Sequence, residues 1–375
     1  MIYFDNAATT KYKPEEVYEA ANYYLREVGV SPGRGSYSVG IDASRMLYKT
    51  RTTVGKYFGM SRPDKVIFTK NSTEAMNLFF NGFLKQGDHV IISCYEHNAV
   101  LRPIQHLKNL GIIDYSIINR DDLVLPAEKI LAKYAKSNTR LLAMTLASNL
   151  TGRIVFREDL YRLAKENGIV TFVDSSQGAG KIVLNMKNQA IDFLAFTGHK
   201  DLLALPGVGG LCCESKEHLE PLIQGGTGIH GEEYTNPDIF PEGYEAGTLN
   251  MPAIWSLHAG VEYIVQHREE LLNQEHKLMQ YLLEQLDSLN NVVIYDRDAN
   301  RVSTCSINIK GIASDKLVAL LDDHKICVRG GIHCAILAHE AIGTVSTGTV
   351  RISLNYCNSK EDIDNLICVL RKTEK

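Results

Sequence analysis

Residues 141–177, LLAMTLASNLTGRIVFREDLYRLAKENGIVTFVDSSQ, decide the fold. Leu141 to Leu146 and Ile169 to Val173 are apolar runs of strand length. Between them, Asp159 to Glu166 sets Leu160, Leu163 and Ala164 on one face of a helix, and Gly168 follows as a stop signal. Strand, covering helix and second strand make a parallel βαβ unit, and the same alternation extends in both directions. Further strand candidates are Val66 to Thr69, Val90 to Cys94, Ile112 to Ile117, Phe193 to Phe196 and Gly210 to Cys213, with helical stretches between most of them. The fold class is therefore α/β, with a mainly parallel seven-stranded sheet. The pattern changes after Leu249-Asn250-Met251-Pro252. A long helical stretch to about Asn290 is followed by an antiparallel series of strands and two helices, the last capped by Ser359 and burying Ile363, Leu366, Ile367 and Leu370. The expected organisation is an N-terminal arm (1–15), a large domain (16–250) and a smaller α+β domain (251–375).

The 375 residues are 45% hydrophobic and 22% charged, the balance of a folded protein rather than a disordered one. A formal charge of -4, with both signs interspersed and no basic block, gives no footprint for nucleic acid or an anionic membrane. No run of about 18 apolar residues suggests a membrane span. Met1-Ile-Tyr-Phe-Asp5 lacks a basic leader and an apolar signal core, so the expected location is the cytoplasm. The eight cysteines are then expected as free thiols. Neither Cys212-Cys213 nor the Cys327, His333, Cys334 spacing includes a paired Cys-x-x-Cys, and no metal is expected.

Several chemistry-bearing residues fall just past predicted strands, where an open α/β sheet binds its ligands. Lys200, in Phe196-Thr197-Gly198-His199-Lys200, is a candidate Schiff-base lysine; the alternative is a solvated surface charge. Asp174 ends the strand Ile169 to Val173. It suits the carboxylate that keeps a pyridoxal cofactor's ring nitrogen protonated, and equally a helix N-cap. Ser72 and Thr73 open a helix, where free amides and the helix dipole attract a phosphate, although Asn71-Ser72-Thr73-Glu74 also reads as a capping box. His97, Asn149 and Arg351 each have a structural alternative as well. Ser72, His97, Asn149, Asp174 and Lys200 nevertheless all fall on one rim of one sheet.

In order and at these spacings, Tyr3-Phe4-Asp5-Asn6-Ala7-Ala8-Thr9-Thr10, Asn71-Ser72-Thr73-Glu74-Ala75, Glu96-His97-Asn98-Ala99, Ser148-Asn149-Leu150-Thr151-Gly152, Asp174-Ser175-Ser176-Gln177, Gly198-His199-Lys200 and Glu245-Ala246-Gly247-Thr248 span nearly the whole chain. The chain resembles the class V aminotransferase superfamily of fold type I pyridoxal-phosphate enzymes, and within it the cysteine desulfurases and selenocysteine lyases. The resemblance implies that Lys200 carries pyridoxal 5'-phosphate, Asp174 pairs its ring nitrogen, Gln177 contacts its phenolic oxygen and His97 stacks on the ring. It implies a phosphate held by Ser72, Thr73, Thr197 and His199, and Asn149 near ring and substrate. Arg351, with Arg329 beside the loop, would bind the substrate carboxylate. Gly225-Gly226-Thr227-Gly228 resembles a segment that reaches a neighbouring subunit's phosphate, which implies a homodimer with Thr227 in its partner's site. Arg329-Gly330-Gly331-Ile332-His333-Cys334-Ala335 is similar to the short loop that carries a persulfide-forming cysteine. Such a cysteine acts as a thiolate, favoured by a nearby Arg or His; the alternative for Cys334 is a small buried hydrophobe. The chain departs from the family at Ala204-Leu205-Pro206-Gly207, where a Gly-Pro-x-Gly turn is common. The implied activity is conversion of L-cysteine to L-alanine, with sulfur passed to Cys334 and then to an acceptor protein. Selenocysteine lysis, transamination or another β-elimination uses the same scaffold, and a non-catalytic sulfur-relay scaffold is a rival of a different class.

Overall fold

The computed structural model describes residues 1–33, 35 and 37–374. The two-residue strand β1 (Ile2–Tyr3) leads into helices α1 (Glu15–Tyr23) and α2 (Ser38–Tyr57). An alternation follows: β2 (Val66–Thr69), α3 (Ser72–Phe83), β3 (Asp88–Ser93), α4 (Asn98–Asn109), β4 (Ile113–Ile118), α5 (Ala127–Tyr134), β5 (Thr139–Thr145), α6 (Glu158–Glu166) and β6 (Val170–Asp174). Strands β7 (Phe193–Thr197) and β8 (Gly209–Cys213) complete seven, in the order β2-β8-β7-β6-β5-β3-β4. All run parallel except β8, which is antiparallel to both its neighbours.

Alternate side chains of β5 feed two cores: Leu141 and Ala143 face one, Leu142 and Met144 the other. A parallel sheet covered by helices on both sides requires this. In α6 the expected face is corrected by one residue. Tyr161 is fully buried and donates its hydroxyl to the Phe172 carbonyl of β6 at 2.8 Å, whereas Leu163 is only partly buried. Gly168, at φ 72°, ends the unit. From β3 the chain steps outward to β4, and from β5 it steps the other way through β6 to β7. The crevice at the carboxyl ends of β3 and β5 is thus the topological switch point, where open α/β sheets bind ligands.

Helix α7 (Met251–Asp287) serves two cores. Ile254, Leu257, Val261 and Ile264 pack under the large sheet, while Leu278, Leu282 and Leu286 belong to a third core. That core lies against β9 (Val292–Ile294), β10 (Thr304–Ile309), α8 (Ser314–Asp323), β11 (Ile326–Cys327), β12 (Arg329–Gly331), α9 (Ile336–Ile342), β13 (Thr349–Ser353) and α10 (Lys360–Arg371), with an antiparallel sheet in the order β12-β13-β10-β9. Three helices follow α7 where two were expected, because the seven residues of α9 are too few to show a period. Ser359 and Asp362 form a capping box on α10, and Ile363, Leu366, Ile367 and Leu370 are buried as read. The arm packs back through β1, which pairs with β11, and through the fully buried Phe4. No helix is long and apolar enough to cross a membrane among the described residues.

Candidate active site

Lys200 sits on a turn closed by three backbone bonds. Gly198 donates to Val208 at 2.9 Å, Leu203 to Lys200 at 3.0 Å and Ala204 to Gly198 at 2.9 Å. Leu203, at φ 60°, and Gly207, at φ 95°, supply the left-handed residues of this turn, whose sequence departs from the family's usual one. The amide of Leu205 is held by Ser256 Oγ of α7 at 3.0 Å. The arm closes over the turn from the other side: Thr10 Oγ1 donates to the Lys200 carbonyl at 2.9 Å, and Thr9 Oγ1 lies 3.0 Å from His199 Nδ1. Burial pushes the Lys200 amine below the usual lysine range; Asp174 and Asp201 oppose this, and Arg351 and Arg329 add to it.

Asp174 ends β6 almost fully buried, and its Oδ1 accepts from the Ser176 amide at 2.9 Å and the Ser176 hydroxyl at 2.5 Å. A turn follows, not a helix, so the N-cap reading does not apply. Burial raises the Asp174 carboxyl above its usual range, against its Ser176 hydrogen bonds and Lys200. Gln177 Nε2 donates to the Ala7 carbonyl at 2.8 Å.

His97 is the N-cap of α4: its Nδ1 accepts from the Ala99 amide at 3.0 Å. Burial, then the charges of Lys200, Arg329, Arg351 and Arg102, lower its pKa to about 4. The ring is therefore neutral near pH 7, with its proton on Nε2. The preceding residue, Glu96, is fully buried; its Oε1 accepts from the Thr145 amide at 2.9 Å, and burial raises its carboxyl to about 8.

Ser72 and Thr73 are the first two residues of α3, with Asn71 as cap, accepting from the Glu74 amide at 2.9 Å. They share the rim with Lys200, although β8 separates their strand from β7. Thr197 Oγ1 and Asn149 Oδ1 are buried polar atoms without a hydrogen-bond partner. Such atoms call for a ligand. Asn149 spends its amide on the His333 carbonyl at 2.7 Å and its own carbonyl on Arg351 Nη1 at 3.0 Å.

Arg351, on β13, is 1% exposed, and its Nη2 meets Asp5 Oδ1 at 2.6 Å. Its Nε is buried without a partner. Arg329 stands directly opposite on β12, in register with Arg351. Side chains so paired share one face of the sheet. Cys334 is exposed, which overturns its reading as a buried hydrophobe. Both His333 and Cys334 hold left-handed backbone, at φ 55° and 56°, and the Cys334 carbonyl accepts from the Asn98 amide, beside His97, at 2.9 Å.

Charge contacts and hydrogen bonds thus link Lys200, Asp174, His97, Asn149, Arg329 and Arg351 into one group, with the Cys334 loop bonded to its edge. Thr227 is elsewhere, lining a cavity of about 370 Å³ with Arg51 and Glu245. Asp5 and Glu96 join the site as residues to which the sequence motifs assign no role. The signal for Asp5 is an acid embedded in an arm that otherwise reads as packing.

A seven-stranded, mainly parallel sheet with Lys200, Asp174, His97 and Asn149 along its carboxyl rim, and Arg351 reaching Asn149 from the antiparallel sheet, defines a fold type I α/β enzyme. Residues 2–366 match the family Aminotransferase class-V, and the chain belongs to that family, whose members are known as pyridoxal-phosphate enzymes. A protein of Methanothermobacter thermautotrophicus named "Probable cysteine desulfurase" is 32% identical over 97% of this chain and 92% of its own length. One of Pyrococcus abyssi with the same name is 32% identical, over 100% and 94%. The apo structure of a cysteine desulfurase from Thermococcus onnurineus superposes with a TM-score of 0.88 at 32% identity, covering 99% of this chain and 94% of that one.

Proposed function

We propose that this chain is a pyridoxal-phosphate-dependent cysteine desulfurase that converts L-cysteine to L-alanine and takes the sulfur onto Cys334. The exposed Cys334 carries the reading: its loop is bonded to Asn98, beside His97, and through His333 to Asn149.

The site fits the cofactor. Lys200 offers an amine held toward its neutral, nucleophilic form, Asp174 a buried carboxylate for the ring nitrogen, Gln177 a donor for the phenolic oxygen, and His97 a flat neutral ring. Ser72, Thr73, Thr197 and His199 would hold the phosphate, which would give the unpartnered Thr197 hydroxyl an acceptor. When bound, the cofactor supplies an electron sink for the pair released at the substrate's Cα. Arg351 orients the substrate carboxylate, with its free Nε–H as the unused donor and Arg329 as a second cation. Lys200 then moves the Cα proton, and the Cys334 thiolate attacks the substrate sulfur. A sulfur–sulfur bond forms as the carbon–sulfur bond breaks; its electron pair stays on carbon, which is protonated to alanine.

The 1–15, 16–250 and 251–375 division belongs to this reading, with Lys200 and Arg351 facing one another across the cleft. So do a cytoplasmic location, a sulfur-acceptor protein and a homodimer in which Thr227 serves the partner's phosphate. Thr227 lines a cavity whose walls include none of the residues assigned to this chain's own phosphate, which supports the dimer.

Borohydride reduction of the cofactor-loaded protein, followed by peptide mapping, tests the core of the assignment. A single cofactor label on Lys200 is expected. A label on another lysine, or a colourless protein, contradicts it.

A further inference from the structure

One group of buried charges has no part in that chemistry. Lys181, Asp201 and Glu275 lie together behind the Lys200 turn, with side chains 14%, 7% and 8% exposed. Lys181 Nζ is 3.0 Å from Glu275 Oε2, 3.4 Å from Asp201 Oδ1 and 3.5 Å from the Leu354 carbonyl. Asp201 directly follows Lys200, and its Oδ2 accepts from the Gly178 amide at 2.6 Å. Glu275 stands on α7 and accepts from the Ser303 hydroxyl. Ser303 precedes β10, and its carbonyl accepts from the amide of Leu354 at 2.7 Å, at the end of the strand carrying Arg351. One ammonium therefore joins the Lys200 turn, the helix shared by two cores and the strand bearing Arg351.

Two carboxylates and one ammonium in a buried position carry a net negative charge, which is costly to bury and unnecessary for packing alone. We propose that Lys181 is a positioning residue: by clasping Asp201 to Glu275 it fixes the turn that presents Lys200 against the strand that presents Arg351, and so sets the reach between amine and guanidinium. The proposal rests on reading Lys200 and Arg351 as the two sides of the substrate cleft. It also has an electrostatic sign. Lys200 is faced by Asp174 from β6, His97 from α4, Arg329 from β12 and Arg351 from β13, and by His199 and Asp201 of its own turn. Asp201 draws the amine toward its protonated form, and Lys181 offsets that pull.

The test uses both forms of the protein. In the cofactor-free form, the pH dependence of Lys200 labelling by trinitrobenzenesulfonate, read by peptide mass, gives the amine's midpoint directly. Lys181→Met is expected to raise that midpoint and Asp201→Asn to lower it, each by on the order of one pH unit, with Lys181→Arg close to the parent. In the loaded form, Lys181→Met is expected to raise the KM for L-cysteine about tenfold while kcat changes less. Midpoints that stay put, or move in the same direction in both variants, overturn the clasp, and so does an unchanged KM. If Lys181→Met does not fold, Glu275→Gln decides, since it loosens the same clasp from the α7 side: a raised KM for L-cysteine supports the proposal and an unchanged KM overturns it. A parent protein inert toward cysteine would instead remove the functional reading, and the labelling midpoints would judge the clasp separately.

Discussion

Arg351 carries its charge at 1% exposure, so that partners rather than water must hold it, and Asp5 and the Asn149 carbonyl do so. A lysine offers a single point charge and cannot keep both contacts while addressing a carboxylate. Arg351→Lys is therefore expected to raise the KM for L-cysteine roughly ten- to a hundredfold, about 1.5–3 kcal/mol, with the cofactor absorbance unchanged in steady-state and spectral measurements. At Asp174 binding and chemistry separate. Asp174→Asn should keep much of the cofactor through the phosphate contacts yet lose at least about a hundredfold in kcat; a parent-like rate would reduce Asp174 to a turn residue. Lys200, Asp174, His97 and Arg351 were legible as candidates because each follows a strand or stands in a motif. Their states were not. That His97 caps α4 with Nδ1, and so keeps its proton on Nε2, depends on an amide two residues later, on burial, and on cations of which Lys200, Arg329 and Arg351 are distant in sequence.

At the scale of elements, the turn after β5 joins the two sheets. Gly152 lies at φ 75°, and a Cβ there would meet the Thr304 carbonyl oxygen at 2.1 Å. The Val302 amide donates to the Gly152 carbonyl at 2.9 Å, so β10 is docked on the segment that carries Asn149. Gly152→Ala should cost about 2 kcal/mol or more in urea unfolding, from left-handed strain and from overlap with backbone that cannot yield. An unfolding midpoint like the parent's would show that this docking is loose. The seven strands were legible because a parallel sheet buried on both faces concentrates apolar residues into short runs. Strand β1 and helix α9 were not. Two residues of β1 and seven of α9 carry too little periodicity, and both are held by contacts distant in sequence, such as Ile2 with Ile326.

For the whole molecule, burial leaves four histidines neutral in the folded state: His97, His199 and His258 with pKa about 4 and His333 about 3. Unfolded, each titrates near 6.5, so below that pH the unfolded chain binds more protons than the folded one. The stability these groups contribute is complete above about pH 6.5 and is lost as pH falls toward 4. Urea midpoints of the cofactor-free protein should begin to fall near pH 6.5, before most carboxylates titrate; a midpoint constant down to pH 5 would contradict this. Three parts of the chain meet at the site, since the arm, the large sheet and the antiparallel sheet each supply a contact to it, at Thr10, Lys200 and Arg351. Incubation of the cofactor-loaded protein with L-cysteine, quantifying alanine and mapping bound sulfur by peptide mass, tests the central claim most directly. The expected result is alanine release together with one added sulfur atom on the peptide containing Cys334, and loss of both in Cys334→Ala. Full cysteine turnover by Cys334→Ala, or sulfur bound at another cysteine of the parent, would contradict it.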